Sequence, residues 1–146
     1  MCLSGVVAHH TNDPEVIARL LTTPARWAVV GLSANTDRAA HGVSAYVQRR
    51  LGMTIVAVHP AAESVHGAPG YARLSDVPTG IDVVDVFVNS DRAGAVVDEA
   101  IAVGASAVWL QLGVVDEDAA ARAEAAGLAV VMDACPVIEG HQRGLA

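Results

Sequence analysis

Apolar positions along the chain follow two alternating patterns. Short continuous runs such as WAVV, TIVAV, VVDVFV and AVWLQL give way to segments in which apolar residues recur every three or four positions. The runs predict strands at 27–31, 54–58, 83–88, 107–112 and 129–133, and the periodic segments predict helices over about 41–51, 92–103 and 117–126. Val43, Tyr46, Val47 and Leu51 mark one face of the first of these helices. Gly52 follows it, and Arg49 and Arg50 sit near its end, where the helix dipole is negative. Val96, Val97, Ala100 and Ile101, stopped by Gly104, repeat the design. Upstream, Asp13-Pro14-Glu15 reads as an N-cap, a first-turn proline and a first-turn acid, with Ile17, Leu20 and Leu21 as the apolar stripe of a short leading helix.

The strands are apolar on both faces, as a parallel sheet covered by helices on each side requires. Residues 61–80, rich in glycine, proline and small side chains, read as a loop with one short edge strand near 71–74 rather than a full crossover helix. The predicted fold is a doubly wound α/β sandwich, Rossmann-like, with strand order 3-2-1-4-5-6. Its crevice opens between the strand ending at Gly31 and the strand ending near Val88. The 146 residues suit one domain, with a core over about 25–139.

Composition narrows the function classes. A net charge of −7 argues against a nucleic-acid groove or an anionic membrane surface, since either needs clustered cations. The opening residues lack a secretory pattern, and no stretch reaches the ~18 apolar residues of a membrane span. With only two cysteines, Cys2 and Cys135, far apart in sequence, the expectation is a cytoplasmic protein with reduced thiols.

The stretch WAVVGLSANTDRAAHGV carries the first candidate chemistry. After a strand, the amides around Gly31-Leu32-Ser33, the Ser33 hydroxyl, the Arg38 guanidinium and the next helix N-terminus can converge on a phosphate. An ordinary α/β turn has the same pattern with no ligand. A nicotinamide cofactor wants an acid at the end of the second strand, where this chain has His59-Pro60, with Glu63 the next acid. No Gly-Lys-Ser/Thr occurs, so a Walker-type loop is excluded.

Taken together, VVGLSANTDRAAHGVSAYVQRRLG, IVAVHPAAESVHG, LSDVPTGIDVVDVFV and AVWLQLGVVDEDAAARAEAAGLAVVMDACPVIE resemble the small stand-alone CoA-binding domain family, which is similar to the N-terminal domain of the succinyl-CoA synthetase alpha subunit. The resemblance spans about residues 13 to 139, and its pieces VGLS, LSD-P, VDVF, VWLQLG and VMD-C fall in order. It implies coenzyme A, free or acylated, bound at the crevice. Gly31, Leu32, Ser33 and Arg38 would hold phosphate, with His59 and Pro60 beside them. Val86 and Phe87 would border the adenine. Gln111, Leu112 and Gly113 would line the pantetheine path, and Cys135 would sit near its thiol end. Two cations of the family pattern are absent, one after Pro60, where Ala61 stands, and one after Phe87, where Val88-Asn89 stands. Arg38 is retained and Arg92 lies downstream, so a lower CoA affinity is expected.

The remaining candidates read as structural. Cys135 is either a thiol facing the ligand or a small buried hydrophobe. Asp85, inside an apolar strand, and Asp133, at a strand end, are expected to accept hydrogen bonds from loop amides. His9, His10, His41, His59, His66 and His141 form no metal-ligand spacing; His59 alone lies at the crevice. Trp27 and Trp109 read as core, and Asp116-Glu117-Asp118 as the cap of a helix. No general base or hydride-acceptor arrangement is visible, so the leading reading is a CoA-binding protein without evident catalysis. A small dehydrogenase-like or acyl-transfer enzyme, or a regulatory subunit with a vestigial crevice, stands as the alternative, and no protein partner is indicated.

Overall fold

The protein is described by a computed structural model covering residues 9–78 and 80–146. Cys2 lies outside the described residues. The elements follow in the order α1 (Pro14–Thr22), β1 (Arg26–Val30), α2 (Ala39–Arg49), β2 (Thr54–Val58), β3 (Gly70–Tyr71), β4 (Val83–Val86), α3 (Ser90–Ala102), β5 (Ala107–Leu110), α4 (Glu117–Ala125), β6 (Ala129–Val131) and α5 (Pro136–Gln142). The strands form one parallel sheet in the order β3-β2-β1-β4-β5-β6, as the alternation of runs and helices predicts.

Two apolar layers cover the sheet. On one face Val56, Val84, Val86, Val108 and Leu110 pack against Ala93, Val97 and Ala100 of α3 and Ala119, Ala120 and Ala123 of α4. On the other, Trp27, Val29, Val83 and Trp109 pack against Ile17 and Leu21 of α1 and Val47 of α2. The two tryptophan rings lie 5.7 Å apart, fully buried. Trimming a buried aromatic of this size to alanine costs about 3–5 kcal/mol, so this pair anchors the second layer.

The boundaries differ from the predicted ones in a consistent way. β4, β5 and β6 stop at Val86, Leu110 and Val131, short of the predicted 88, 112 and 133. The residues that follow, Phe87-Val88 and Gln111-Leu112, lie just past the paired strands, Phe87 and Gln111 still donating their amides to the Val30 and Val86 carbonyls, and become walls of a crevice. The edge strand is two residues long, because the chain turns at once into a 3-10 turn, Leu74–Asp76, that buries Leu74. Helix α2 starts at Ala39, ahead of the predicted 41.

The sequence pattern does not predict helix α5, because PVIEGHQ has too few apolar repeats and a glycine inside it. That glycine has a packing reason: a Cβ on Gly140 would collide with the Tyr46 hydroxyl of α2. At the far edge of the sheet, the Asn12 side chain acts like a missing strand. Its Nδ2 donates to the Met132 carbonyl at 2.8 Å and its Oδ1 accepts from the Met132 amide at 2.9 Å.

Candidate functional site

Parallel strands place all their carboxyl ends on one edge of the sheet, and the order reverses between β1 and β4, so the crevice opens there. β1 leaves the sheet through Gly31 at φ +102°, a conformation that side chains other than glycine's rarely adopt. A Cβ at this position would lie 3.1 Å from Cβ of Phe87 and 3.2 Å from its carbonyl oxygen. The Gly31 amide donates to the Val58 carbonyl at 2.8 Å, and that of Phe87 to Val30 at 2.9 Å, so the floor of the crevice is tied to three strands.

Two adjoining clefts, each about 540 Å³, run across this edge. Phe87, Val88, Asn89 and Ala39 line both, making the clefts one groove with a shared wall. The first brings together Gly31, Ser33, Arg38, His59, Pro60 and Phe87 of the predicted site. The second brings together Phe87, Gln111, Leu112, Gly113 and Cys135. The side chains of Leu32 and Val86 line neither cleft. Both are fully buried, Leu32 in the layer under α2 and Val86, still paired in β4, in the layer under α3.

The first cleft is cationic in an otherwise acidic protein. Arg38, Arg73 and Arg92 all line it, three of the chain's nine basic residues, with Glu99 also present. None of the three arginines makes an ion pair among the described residues; the two arginines that do are Arg122, with Asp98, and Arg143, with Glu139. Arg73 was missed in the sequence because it follows the edge strand, far along the chain from the phosphate-type turn.

Backbone donors add to this charge. Arg38 is the N-cap residue of α2 and Asn89 that of α3, and neither cap makes a side-chain hydrogen bond. By contrast, α1 and α4, whose starts lie away from the groove, are capped by the Asp13 and Asp116 carboxylates. At the helix ends that face the groove the His41 and Arg92 amides turn back to the Arg38 and Asn89 carbonyls at 3.1 and 2.9 Å, and the amides before them are taken by no capping side chain. The loop between β1 and α2 is held by its own side chains, with the Asn35 amide on Ser33 Oγ at 3.2 Å and the Asp37 amide on Asn35 Oδ1 at 3.0 Å. The Ala34 amide donates to the Glu63 carboxylate at 3.4 Å, so this loop already meets an anionic oxygen. His59 accepts from the Ala61 amide at Nδ1, 3.0 Å away, which leaves Nε2 of the neutral ring as a donor.

The second cleft is shaped by the ends of β5 and β6. Asp133, at φ +57°, accepts from the Gly113 amide at 2.7 Å, as expected of a loop-holding carboxylate. Ser90 bridges the same loop, its hydroxyl donating to the Gly113 carbonyl at 3.3 Å and accepting from the Val115 amide at 3.0 Å. Trp109 Nε1 donates to the Ala134 carbonyl at 2.9 Å, fixing the chain just before Cys135, which is the N-cap of α5 and half-buried. Leu112 is 63% exposed at the cleft mouth, an apolar side chain left in water.

Asp85 departs from its expected role. Fully buried in β4 between Val29 and Trp109, it bonds no loop amide; its one partner is Nε2 of Gln111, and its Oδ2 has none. Burial pushes its carboxyl up to about 8, with the Gln111 bond pulling the other way. Among the described residues, no group of three or more histidine, cysteine or acidic side chains is placed to hold a metal ion, and no helix is long and apolar enough to cross a membrane.

Comparison with known proteins bears on the fold and the family. The uncharacterized protein YneT of Bacillus subtilis (strain 168) is 34% identical over 119 residues, covering 82% of this chain and 87% of that protein. A hypothetical protein from Pyrococcus horikoshii OT3 superposes with a TM-score of 0.83 at 31% identity, over 93% of this chain and 98% of the other. The apo form of the dinucleotide-forming acetyl-coenzyme A synthetase 1 of Ca. Korarchaeum cryptofilum shares the fold at 22% identity and a TM-score of 0.65, over 80% of this chain and 28% of that enzyme. Residues 25–141 match the CoA binding domain family, and the chain belongs to it.

Proposed function

We propose that this protein binds coenzyme A, free or acylated, along the groove formed by the two clefts. The observation that carries the reading is the convergence of Arg38, Arg73 and Arg92, unpaired by acids among the described residues, on one cleft of a chain with net charge −7. A ligand with several phosphates suits such a site, because each guanidinium offers charge-assisted hydrogen bonds that neutral ligands leave unused.

In this reading the phosphates lie over the β1–α2 loop, on the amides near Ser33 and at the start of α2, and displace Glu63 from the Ala34 amide. Phe87 offers an aromatic wall for the adenine, His59 and Pro60 close the side next to β2, and Val86 has no direct part because it is core. Arg73 and Arg92, which line the same cleft, supply the charge that the cations missing after Pro60 and Phe87 would have given. The pantetheine arm runs past Gln111-Leu112-Gly113, where exposed Leu112 gains apolar cover, toward Cys135. A reducing cytoplasm, where this thiol stays free, fits the reading.

Native mass spectrometry of the protein mixed with CoA tests the proposal. A one-to-one complex that survives when CoA is added, and fails to form with adenosine or pantetheine alone, is the expected result; equal binding of adenosine and CoA would sink the phosphate-centred reading.

A further inference from the structure

A carboxyl group has no stabilising place in the middle of this sheet. Asp85 is fully buried on the central strand β4, its sheet neighbours Val29 and Trp109 are apolar, and its Oδ2 lacks a partner. Burying a polar group with a hydrogen bond unmade costs about 1–3 kcal/mol, and a valine here would avoid that cost. What the carboxyl does accomplish is a bond to one side chain: its Oδ1 accepts from Nε2 of Gln111.

Gln111 is itself only 4% exposed, and it lines the second cleft with Gly113 and Cys135. With Nε2 turned inward to Asp85, the carboxamide oxygen Oε1 has no protein partner among the described residues and is left to the cleft. A carboxamide is nearly symmetric in shape, so without an inner partner nothing distinguishes its donor edge from its acceptor edge. Asp85 makes that choice.

We propose that Asp85 is a positioning residue for the amide-bearing arm of the ligand: by holding Nε2 of Gln111, it presents Oε1 to the second cleft as the acceptor for a ligand N–H. The inference rests on the CoA reading and deepens it, since the pantetheine arm contains amide N–H groups and the nucleotide half offers none to this cleft. Asp85 touches no ligand and acts through Gln111.

Calorimetric titration with two probes separates this role from a merely structural one. CoA carries the amide-bearing arm, whereas adenosine 3′,5′-bisphosphate carries nucleotide and phosphates alone. Gln111→Leu and Asp85→Leu are each expected to weaken CoA about tenfold, the worth of one hydrogen bond, and to leave the bisphosphate within about twofold. Asp85→Asn keeps an acceptor oxygen for Nε2 and is expected to hold CoA within about threefold of the unaltered protein. The double variant Asp85→Leu/Gln111→Leu should bind CoA no worse than Gln111→Leu alone, since the two residues act in series. Losses that multiply in the double variant, or an Asp85→Leu loss equal for both probes, would overturn the inference while leaving CoA binding intact. An unaltered protein that binds neither probe would instead overturn the CoA reading itself.

Discussion

Gly31 and Phe87 meet where β1 and β4 leave the sheet, so closely that a Cβ on Gly31 would lie 3.1 Å from Cβ of Phe87. The groove floor depends on this contact. In Gly31→Ala the added methyl presses on Phe87 while the backbone is held at φ +102°. The variant is expected to lose about 2 kcal/mol of stability, read as a lower thermal midpoint, and to lose CoA affinity as Phe87 is displaced.

The three cleft arginines predict a salt signature. Arg38→Ala and Arg73→Ala should each weaken CoA binding by about 1.5–3 kcal/mol if each guanidinium meets phosphate. The dependence of affinity on ionic strength should flatten with each charge removed. Titrations from low to high salt check this, with Arg122→Ala as the control, because Arg122 is paired with Asp98 away from the groove. An unchanged slope in Arg73→Ala would show that the loss after Pro60 is not made good by this residue.

Asp85 predicts a pH dependence of stability. Burial pushes its carboxyl up to about 8 in the fold, against ~3.9 in the unfolded chain, so between those values the native state holds a proton that the unfolded state has released. Stability therefore falls as pH rises across that window and levels off above it. Asp85→Asn cannot ionise and escapes the loss. Its thermal midpoint should exceed that of the unaltered protein at pH 8, with the gap shrinking toward pH 5; a gap that is constant with pH would contradict the buried-acid account.

Cys135 predicts a covalent trace of the ligand's path. In a Cys2→Ser background, where Cys135 is the remaining thiol, CoA disulfide should react with its thiolate. A Cys135–CoA bond forms as one CoA thiolate leaves, and binding in the groove raises the effective concentration of the reacting sulfurs. Peptide mass mapping should find the adduct, and excess reduced CoA should slow alkylation of Cys135. Alkylation that proceeds at the same rate with the groove filled would place the thiol end elsewhere.

Most of this architecture is legible in the sequence because it depends on local patterns. The apolar runs and the glycines after them specify the sheet, its order and the position of the crevice, and Asp13 and Asp116 cap the helices they precede. The pattern runs past the strand ends because Phe87 and Gln111 continue the runs of β4 and β5, although both line the groove. Arg73 and α5 were not legible for a different reason. Each is placed by contacts remote in sequence, Arg73 by the edge strand beside β2 and α5 by Tyr46 packed on Gly140. The Asp85–Gln111 bond likewise links β4 to the residue just past β5, far apart along the chain.

The central claim is that the groove binds CoA, and thermal unfolding with added ligand tests it most directly. A ligand present at about 100 times its Kd adds roughly 2.7 kcal/mol, which for a chain of this size raises the midpoint by several degrees. Millimolar CoA should produce that rise, and NADH at the same concentration should not, since no acid stands at the end of β2 to hold its ribose. A midpoint unmoved by CoA but raised by NADH would contradict the account.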